Sequence, residues 1–333
     1  MMKKNYIFII CIFIGVGIIT LFYNFLVYEK WYAKIRFINQ LSCYDFPPEN
    51  NGWKKMEWPL YGSKETGSVF DPFVYMEDSI FVMIVSERTN NTIIQLKSSD
   101  GLIWDSYITL LEPVHGSWEH LVNRATVCKK DSIYHMWYTG QSPSVSKIGH
   151  ATSSDGKLFI RDSINPVLIP SLKEEGKSVM NPCVIYNEKK GCFQMWYAAG
   201  DNYEPDALFY AESKDGTAWK KREDPILTKY SAHKWEKAKV GGCDVKLFKD
   251  GTYIMYYIGY QNEDVARVCY ATSIDGITWE RSDSNLILAP TKNGWDSDAI
   301  YKPSYIEFNN KAYLYYNGRN GRLERIGLAT KVL

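Results

Sequence analysis

The sequence has almost no net charge and few residues that bind metals, and each shortage excludes a class of function. Its 39 Lys and Arg residues nearly balance its 38 Asp and Glu residues, so the formal net charge is +1 and no basic surface for a polynucleotide is expected. The 5 His and 7 Cys residues do not recur at the spacing of a metal site such as C-x-x-C. We therefore expect no nucleic-acid partner, no catalytic zinc and no other cofactor.

An apolar run long enough to cross a bilayer occurs at the N-terminus. Residues 6–27 are interrupted only by polar Thr20 and Asn24, and Lys3 and Lys4 precede them. About 20 apolar residues span a membrane as a helix, and the residues that follow offer no small-residue cleavage site. We therefore expect residues 1–30 to form an uncleaved single-pass membrane anchor. Basic residues flank both sides of the run in nearly equal number, so their count does not decide the orientation of the anchor. We expect the remaining chain to lie outside the cytoplasm.

A phrase of the form Ser-x-Asp-Gly, with an aromatic residue three positions after the Gly, occurs four times at intervals of 55 to 60 residues. The copies occupy residues 98–104, 153–159, 213–219 and 273–279. Gly supplies a positive φ and Asp caps the turn with its own side chain, so each phrase predicts a hairpin turn whose Asp is structural. The interval matches the size of a four-stranded propeller blade.

Two further patterns repeat at this interval and predict the number of blades. Aromatic and apolar runs that end near a Gly, typical of buried strands, occupy residues 136–140, 195–200, 255–259 and 314–318. A strand start precedes each of them and also occurs once earlier, at residues 70–74, 123–127, 180–184, 241–245 and 301–305. Five such starts predict five blades.

The last repeat lacks its turn and its outer strand. Residues 53–60 resemble residues 219–226, so we expect the N-terminal segment to complete the fifth blade and remove an open sheet edge. The predicted fold class is all-β, with a five-bladed β-propeller at residues 51–333. A linker at residues 31–50 would join it to one N-terminal transmembrane helix.

These strand and turn motifs resemble those of the five-bladed β-propeller glycoside hydrolases. That group includes the arabinanases and xylosidases of family 43, the relatives of invertase and levansucrase, and the mannoside phosphorylases of family 130. The resemblance covers the whole propeller and implies a carbohydrate substrate bound in a funnel at one end of the central axis. It also implies a glycoside hydrolase-like enzyme that acts on an oligo- or polysaccharide.

In those relatives the funnel is lined by residues at the start of each inner strand. The corresponding ring in this chain consists of Asp71, Arg124, Asn181, Gly242 and Lys302. The resemblance to family 43 implies an Asp base in blade one, an Asp that tunes a pKa in blade two and a Glu acid in blade three. Asp71 matches the first, whereas Arg124 and Asn181 replace the other two. Inverting hydrolysis requires two carboxyl groups about 6.5 to 9.5 Å apart, which Asp71 alone does not provide.

Three explanations remain open, and in the first another carboxylate supplies the missing acid. Asp244, two residues after the ring position of blade four, is the strongest candidate because a polar residue buried in an inner strand needs a reason to be there. The other candidates are Glu87, Glu119, Asp201, Glu204, Asp296 and Asp298. The acidic residues that follow a Trp at the start of a blade occupy a repeated position, which favours a structural role; they are Glu119, Glu236 and Asp296.

In the second explanation the reaction is phosphorolysis or glycosyl transfer. Arg124 and Lys302 would hold phosphate, or an acidic sugar, while Asp71 protonates the glycosidic oxygen. In the third, the propeller is a carbohydrate-binding or assembly protein that binds sugar through aromatic rings without cleaving it. The catalytic candidates are Asp71 and Asp244, and the substrate-binding candidates are Arg124, Asn181, Lys302 and Glu87. Convergence of Asp71, Arg124 and Lys302 in one pocket would favour an active or anion-binding site, and a funnel filled with aromatic rings would favour binding alone.

Overall fold

Five antiparallel sheets of four strands make up the described part of the chain, which covers residues 44–201, 205–262 and 265–333 of this computed structural model. The first strands of successive sheets contact one another in a closed ring, and the fifth contacts the first. Each sheet is thus a blade whose first strand lies at a central axis and whose fourth strand forms an outer edge. The predicted five-bladed β-propeller is confirmed.

The blades follow one another along the chain. Blade one consists of β2 (Val69–Glu77), β3 (Ile80–Glu87), β4 (Thr92–Ser98) and β5 (Asp105–Leu111). Blade two consists of β6 (Leu121–Lys130), β7 (Ile133–Gln141), β8 (Ser146–Ser153) and β9 (Ile160–Arg161). Blade three consists of β10 (Ser178–Asn187), β11 (Cys192–Gly200), β12 (Ala207–Ser213) and β13 (Lys220–Lys221). Blade four consists of β14 (Lys239–Leu247), β15 (Tyr253–Tyr260), β16 (Ala266–Ser273) and β17 (Leu286–Leu288). Blade five consists of β18 (Ala299–Phe308), β19 (Lys311–Asn320), β20 (Leu323–Val332) and, from the N-terminal side, β1 (Lys54–Lys55).

The N-terminal strand closes the ring. Strand β1 pairs with β20 in antiparallel register, with Lys54 opposite Thr330 and Lys55 opposite Ala329. Trp53, immediately before this strand, is buried and packs edge-on against aromatic rings of blades four and five. The predicted closure is confirmed, and it covers an edge that the last repeat would otherwise expose.

The four Ser-x-Asp-Gly phrases form the predicted turns between third and fourth strands. In blade one, the Asp100 carboxylate accepts the backbone N–H groups of Leu102 and Ile103 at 2.7 and 2.9 Å. Gly101 has a φ of 74°, which a residue with a side chain rarely adopts. The corresponding contacts recur in the other three copies. These aspartates therefore stabilise turns, as predicted.

The tyrosines on the second strands of blades two to five are core residues, and each contacts a carboxylate that is itself paired with a cation. The Tyr hydroxyl donates to a carboxylate on the segment leading into the blade, at 2.6 to 3.1 Å, and a cation of the fourth strand or of the segment before it pairs with that carboxylate. The four sets are Tyr138–Glu119–Arg161, Tyr197–Glu175–Lys221, Tyr257–Glu236–Arg281 and Tyr316–Asp296–Lys55. The structural role expected for Glu119, Glu236 and Asp296 is confirmed.

The segment before β1 packs on the propeller for part of its length. Within the linker predicted for residues 31–50, Phe46 packs edge-on against Trp235 at 5.2 Å between ring centroids. The N–H of Asn50 also donates to the carbonyl of Ile287 at 3.0 Å. The expected anchor, residues 6–27, lies outside the described residues. Among the residues that are described, no helix has the length and hydropathy needed to cross a membrane.

Candidate functional site

A basic cavity opens where the inner strands begin, at one end of the propeller axis. Its volume is about 330 Å³. Four of the five ring positions line it, namely Asp71, Arg124, Asn181 and Lys302. Asp71, Arg124 and Lys302 thus converge in one pocket, the arrangement expected of an active or anion-binding site.

Three more charged residues line the cavity, and the sequence patterns did not single them out. They are Arg88, Arg319 and Glu324. Together with the ring, the lining has four cationic side chains against two carboxylates. An excess of positive charge in a concave site attracts anions.

The ring residues share an unusual backbone conformation. Asp71, Arg124, Asn181 and Lys302 have φ values of 58°, 57°, 56° and 50°. Each lies at a shift in the pairing register between the first and second strands of its blade, as expected of a β-bulge, which redirects a side chain. A positive φ in a residue other than Gly is sparsely populated and costs about 1 to 3 kcal/mol. The same conformation recurs in four blades, and all four of these residues line the cavity.

Asp71 is the carboxyl group of the ring. It is 2% exposed and accepts a hydrogen bond from Arg124 Nε at 3.1 Å. Burial raises its pKa above the usual range, although the positive charges of Arg124 and Lys302 oppose this shift. Burial thus favours the protonated form of Asp71, which is the form that a general acid requires.

Lys302 is the buried cation of the ring. It is 5% exposed, and its positive charge acts on Asp71, whose pKa it lowers. Its charge and its place in the cavity lining suit it to bind an anion.

Asn181 occupies the place where family 43 would have its acid. Its backbone N–H donates to Thr139 Oγ1 at 3.0 Å, and its side-chain Oδ1 is buried without a partner among the described residues. Gly242 makes room for this amide, because a Cβ at that position would lie 3.1 Å from Asn181 Nδ2. An amide does not supply a proton at neutral pH, so Asn181 is suited to bind a sugar hydroxyl.

Asp244 does not line the cavity, so its position does not support the predicted catalytic role. Its carboxylate accepts the backbone N–H of Tyr305 at 2.6 Å and pairs with Lys246 at 3.2 Å. Ser304, the equivalent residue of blade five, likewise accepts the N–H of Val74 at 2.9 Å. The bulge separates this position from the ring, and its side chains join neighbouring blades instead.

Glu87 also lies outside the cavity lining. Its carboxylate accepts the N–H of Asn90 at 3.0 Å and the hydroxyl of Thr92 at 3.4 Å, so it stabilises the turn after β3. Asp298 accepts the N–H of Gly321 at 2.7 Å. Glu204 lies outside the described residues.

The cavity residues that the sequence patterns missed come from strand ends. Arg88 follows the last residue of β3, Arg319 lies near the end of β19, and Glu324 lies near the start of β20. In an antiparallel sheet the end of a second strand and the start of a third strand lie beside the start of the first. Polar residues at those strand ends therefore indicate which further side chains line the cavity.

No group of three His, Cys, Asp or Glu side chains suited to a metal ion occurs in the described ranges.

Comparison with known proteins agrees with this architecture. Residues 94–240 match the family model of the glycosyl hydrolases family 32 N-terminal domain. A solved structure described as a glycoside hydrolase superposes with a TM-score of 0.67 at 16% identity, covering 85% of this chain and 92% of that one. The chain is thus similar to family 32 glycosyl hydrolases over part of its sequence and shares the fold of a glycoside hydrolase.

Two further solved structures share its fold at low identity. A thermostable family 43 glycoside hydrolase superposes with a TM-score of 0.62 at 16% identity, covering 80% of this chain and 92% of that one. Another solved structure is described as part of family 130, a family of mannoside phosphorylases that contains glycoside hydrolases targeting β-1,2 mannosidic linkages in Candida mannan. It superposes with a TM-score of 0.63 at 13% identity, covering 86% of this chain and 94% of that one.

Sequence relatives match over part of their length. A 1,2-β-oligomannan phosphorylase of Thermoanaerobacter sp. (strain X514) is 34% identical over 134 residues, which are 36% of this chain and 43% of that protein. An uncharacterised protein of Mycobacterium tuberculosis (strain ATCC 25618 / H37Rv) is 29% identical over 207 residues, which are 58% of this chain and 66% of that protein. The chain thus spans just under two thirds of the mycobacterial relative and less than half of the phosphorylase.

Proposed function

We propose that this propeller is a glycoside phosphorylase, which cleaves a glycosidic bond with inorganic phosphate. The observation that carries the proposal is the charge distribution of the cavity, where one buried carboxyl of the ring stands among four cationic side chains. Hydrolysis by two ring carboxylates does not suit this site, because Arg124 and Asn181 occupy the ring positions of blades two and three where carboxyl groups would be needed. The similarity to a 1,2-β-oligomannan phosphorylase supports the same reaction class.

The four ring residues that line the cavity each have a role in this reaction. Asp71 gives its proton to the glycosidic oxygen as the bond from that oxygen to the anomeric carbon breaks. A phosphate oxygen forms the new bond to the anomeric carbon, so the products are a sugar 1-phosphate and a shortened sugar. Arg124 and Lys302 hold the phosphate by charge-assisted hydrogen bonds. Asn181 Oδ1 accepts a hydrogen bond from a sugar hydroxyl.

Product analysis with and without phosphate tests the proposal. The full chain is incubated with an oligosaccharide panel that includes β-1,2-linked mannooligosaccharides, and products are separated by ion chromatography. We expect sugar 1-phosphate to form only when phosphate is present. Free sugar as the sole product under both conditions would establish a hydrolase instead. Absence of any product across the panel would favour a carbohydrate-binding protein.

The membrane anchor and an extracytoplasmic propeller are further parts of the proposal, based on the apolar run at residues 6–27. The Tyr44 hydroxyl donates to the carbonyl of Ser297 at 3.2 Å, two residues before Ala299 of the cavity wall. An anchor that precedes residue 44 would therefore connect to the propeller near the cavity.

Cell fractionation tests this part. We expect the full chain to stay with membranes during alkaline carbonate extraction, and a variant that starts at residue 44 to be released. Protease added to intact spheroplasts is expected to digest the propeller. Release of the full chain by carbonate would contradict the anchor. Protection of the propeller from protease would indicate the opposite orientation.

A further inference from the structure

The cavity contains a second carboxylate that does not belong to the ring. Glu324 lies on β20 of blade five and is 8% exposed. The blade-two ring position, where family 43 implies a carboxylate that tunes a pKa, is occupied here by Arg124. The second negative charge of the cavity lining therefore comes from blade five.

Three contacts hold Glu324 at the seam between blades one and five. Arg88 donates to Glu324 Oε2 through Nε at 3.2 Å and through Nη2 at 2.6 Å. The hydroxyl of Tyr301 donates to Oε1. The N–H of Glu324 donates to Ser68 Oγ at 3.1 Å. Because Arg88 binds one carboxylate oxygen and the Tyr301 hydroxyl binds the other, the Glu324 carboxylate is held in one orientation.

The Arg88 side chain connects this carboxylate to the strand that contains Asp71. Its guanidinium group lies 4.3 Å from the ring centroid of Phe70, the residue before Asp71. Arg88, Glu324, Phe70 and Asp71 all line the cavity. The ion pair and the ring carboxyl therefore border the same cavity.

We propose that Glu324 is a positioning residue for Asp71, adding negative charge that favours its protonated form, and that Arg88 limits this effect. The proposal rests on the proposed role of Asp71 as the general acid. Because Glu324 acts through Asp71, it does not need to touch the substrate. Its loss should change the pH range of the reaction more than the maximal rate.

Charged groups approach Asp71 from every neighbouring element. Burial raises the pKa of Asp71 most, and the negative charge of Glu324 adds to this rise. The positive charges of Arg124 on β6, Lys302 on β18 and Arg88 after β3 lower it. Arg319 on β19 and the titratable Tyr301 also line the cavity. Glu324 and Arg88 thus shift the pKa of Asp71 in opposite directions. Replacing the one or the other should therefore change the pH dependence in opposite directions.

The test compares pH–rate profiles of Glu324→Gln, Arg88→Gln and the double variant. In Glu324→Gln the alkaline limb of kcat should move to lower pH, so that kcat at pH 8 falls by about fivefold while kcat at the acidic plateau changes by less than about twofold. Arg88→Gln should move the limb to higher pH. The double variant should lie between the two.

Glu307→Gln is the matched control. Glu307 accepts the Tyr305 hydroxyl, as Glu324 accepts the Tyr301 hydroxyl, but it does not line the cavity. We expect its profile to match that of the unaltered protein. Shifts of the same sign in Glu324→Gln and Arg88→Gln, or a loss of plateau rate without a shift, would overturn the proposal.

A titration that does not need activity separates this inference from the proposed function. The full chain is labelled with ¹³C at its Asp carboxyl groups, the resonances are followed with pH, and Asp71→Asn identifies the Asp71 resonance. We expect Asp71 to titrate at lower pH in Glu324→Gln and at higher pH in Arg88→Gln. An unchanged titration would refute the inference even if sugar phosphate is formed. A shifted titration would support the electrostatic link even if the reaction proves to be hydrolysis.

Discussion

Replacing Asp71 by Asn is expected to lower kcat by about 10²- to 10⁴-fold, the usual contribution of a general acid. Asn has the same shape as the protonated carboxyl but does not release a proton at neutral pH. It also tolerates the φ of 58° at this position. We therefore expect the melting temperature to change by only a few degrees, about what 1 kcal/mol produces in a protein of this size. Initial rates of sugar phosphate formation and thermal unfolding followed by circular dichroism measure the two effects.

Asp155→Asn is the control for this variant. Asp155 accepts the N–H groups of Lys157 and Leu158 in the turn of blade two and does not line the cavity. These hydrogen bonds lower its pKa to about 2. We expect a lower melting temperature and an unchanged kcat. Turnover at the unaltered level in Asp71→Asn would remove Asp71 from the mechanism.

Replacing Lys302 by Met is expected to raise the KM for phosphate by about 10- to 100-fold. A hydrogen bond to a charged group contributes about 1.5 to 3 kcal/mol, and each 1.4 kcal/mol corresponds to about a tenfold change in affinity. Because Lys302 is buried, Met removes the desolvation cost of its charge together with its attraction to Asp71, so the free energy of unfolding should change little. Initial rates at varied phosphate and denaturant unfolding measure both quantities.

Lys246→Met is the matched control, since it removes another lysine of an inner strand. Lys246 pairs with Asp244 at 3.2 Å, so its loss leaves a buried carboxylate without that partner. We expect lower stability and an unchanged KM for phosphate, the reverse of the result for Lys302. An unchanged KM in Lys302→Met would contradict the assignment of Lys302 to phosphate.

Much of the fold was predictable because it depends on local patterns that repeat. Each Ser-x-Asp-Gly phrase forms a turn through hydrogen bonds within a few residues, as Asp100 and Gly101 show. The closing strand was predictable because residues 53–60 repeat a phrase that another blade uses for its outer strand.

The site was predictable only in part. Counting along equivalent strands identified Asp71 and Lys302 as neighbours, because propeller symmetry places equivalent positions around one axis. The same counting suggested Asp244, two residues further along blade four, but that position makes hydrogen bonds between blades. Arg88 and Glu324 were missed because they lie on or beside the second and third strands rather than the first.

The amino-acid sequence alone specifies the five blades, their closure and the residues of the ring, because these follow from turn chemistry, strand patterns and the interval between repeats. Which charges meet in the cavity depends instead on the closed ring. Arg88 and Glu324 are 236 residues apart in the chain and meet because blade five packs against blade one. The burial that raises the pKa of Asp71 likewise exists only when the inner strands surround it.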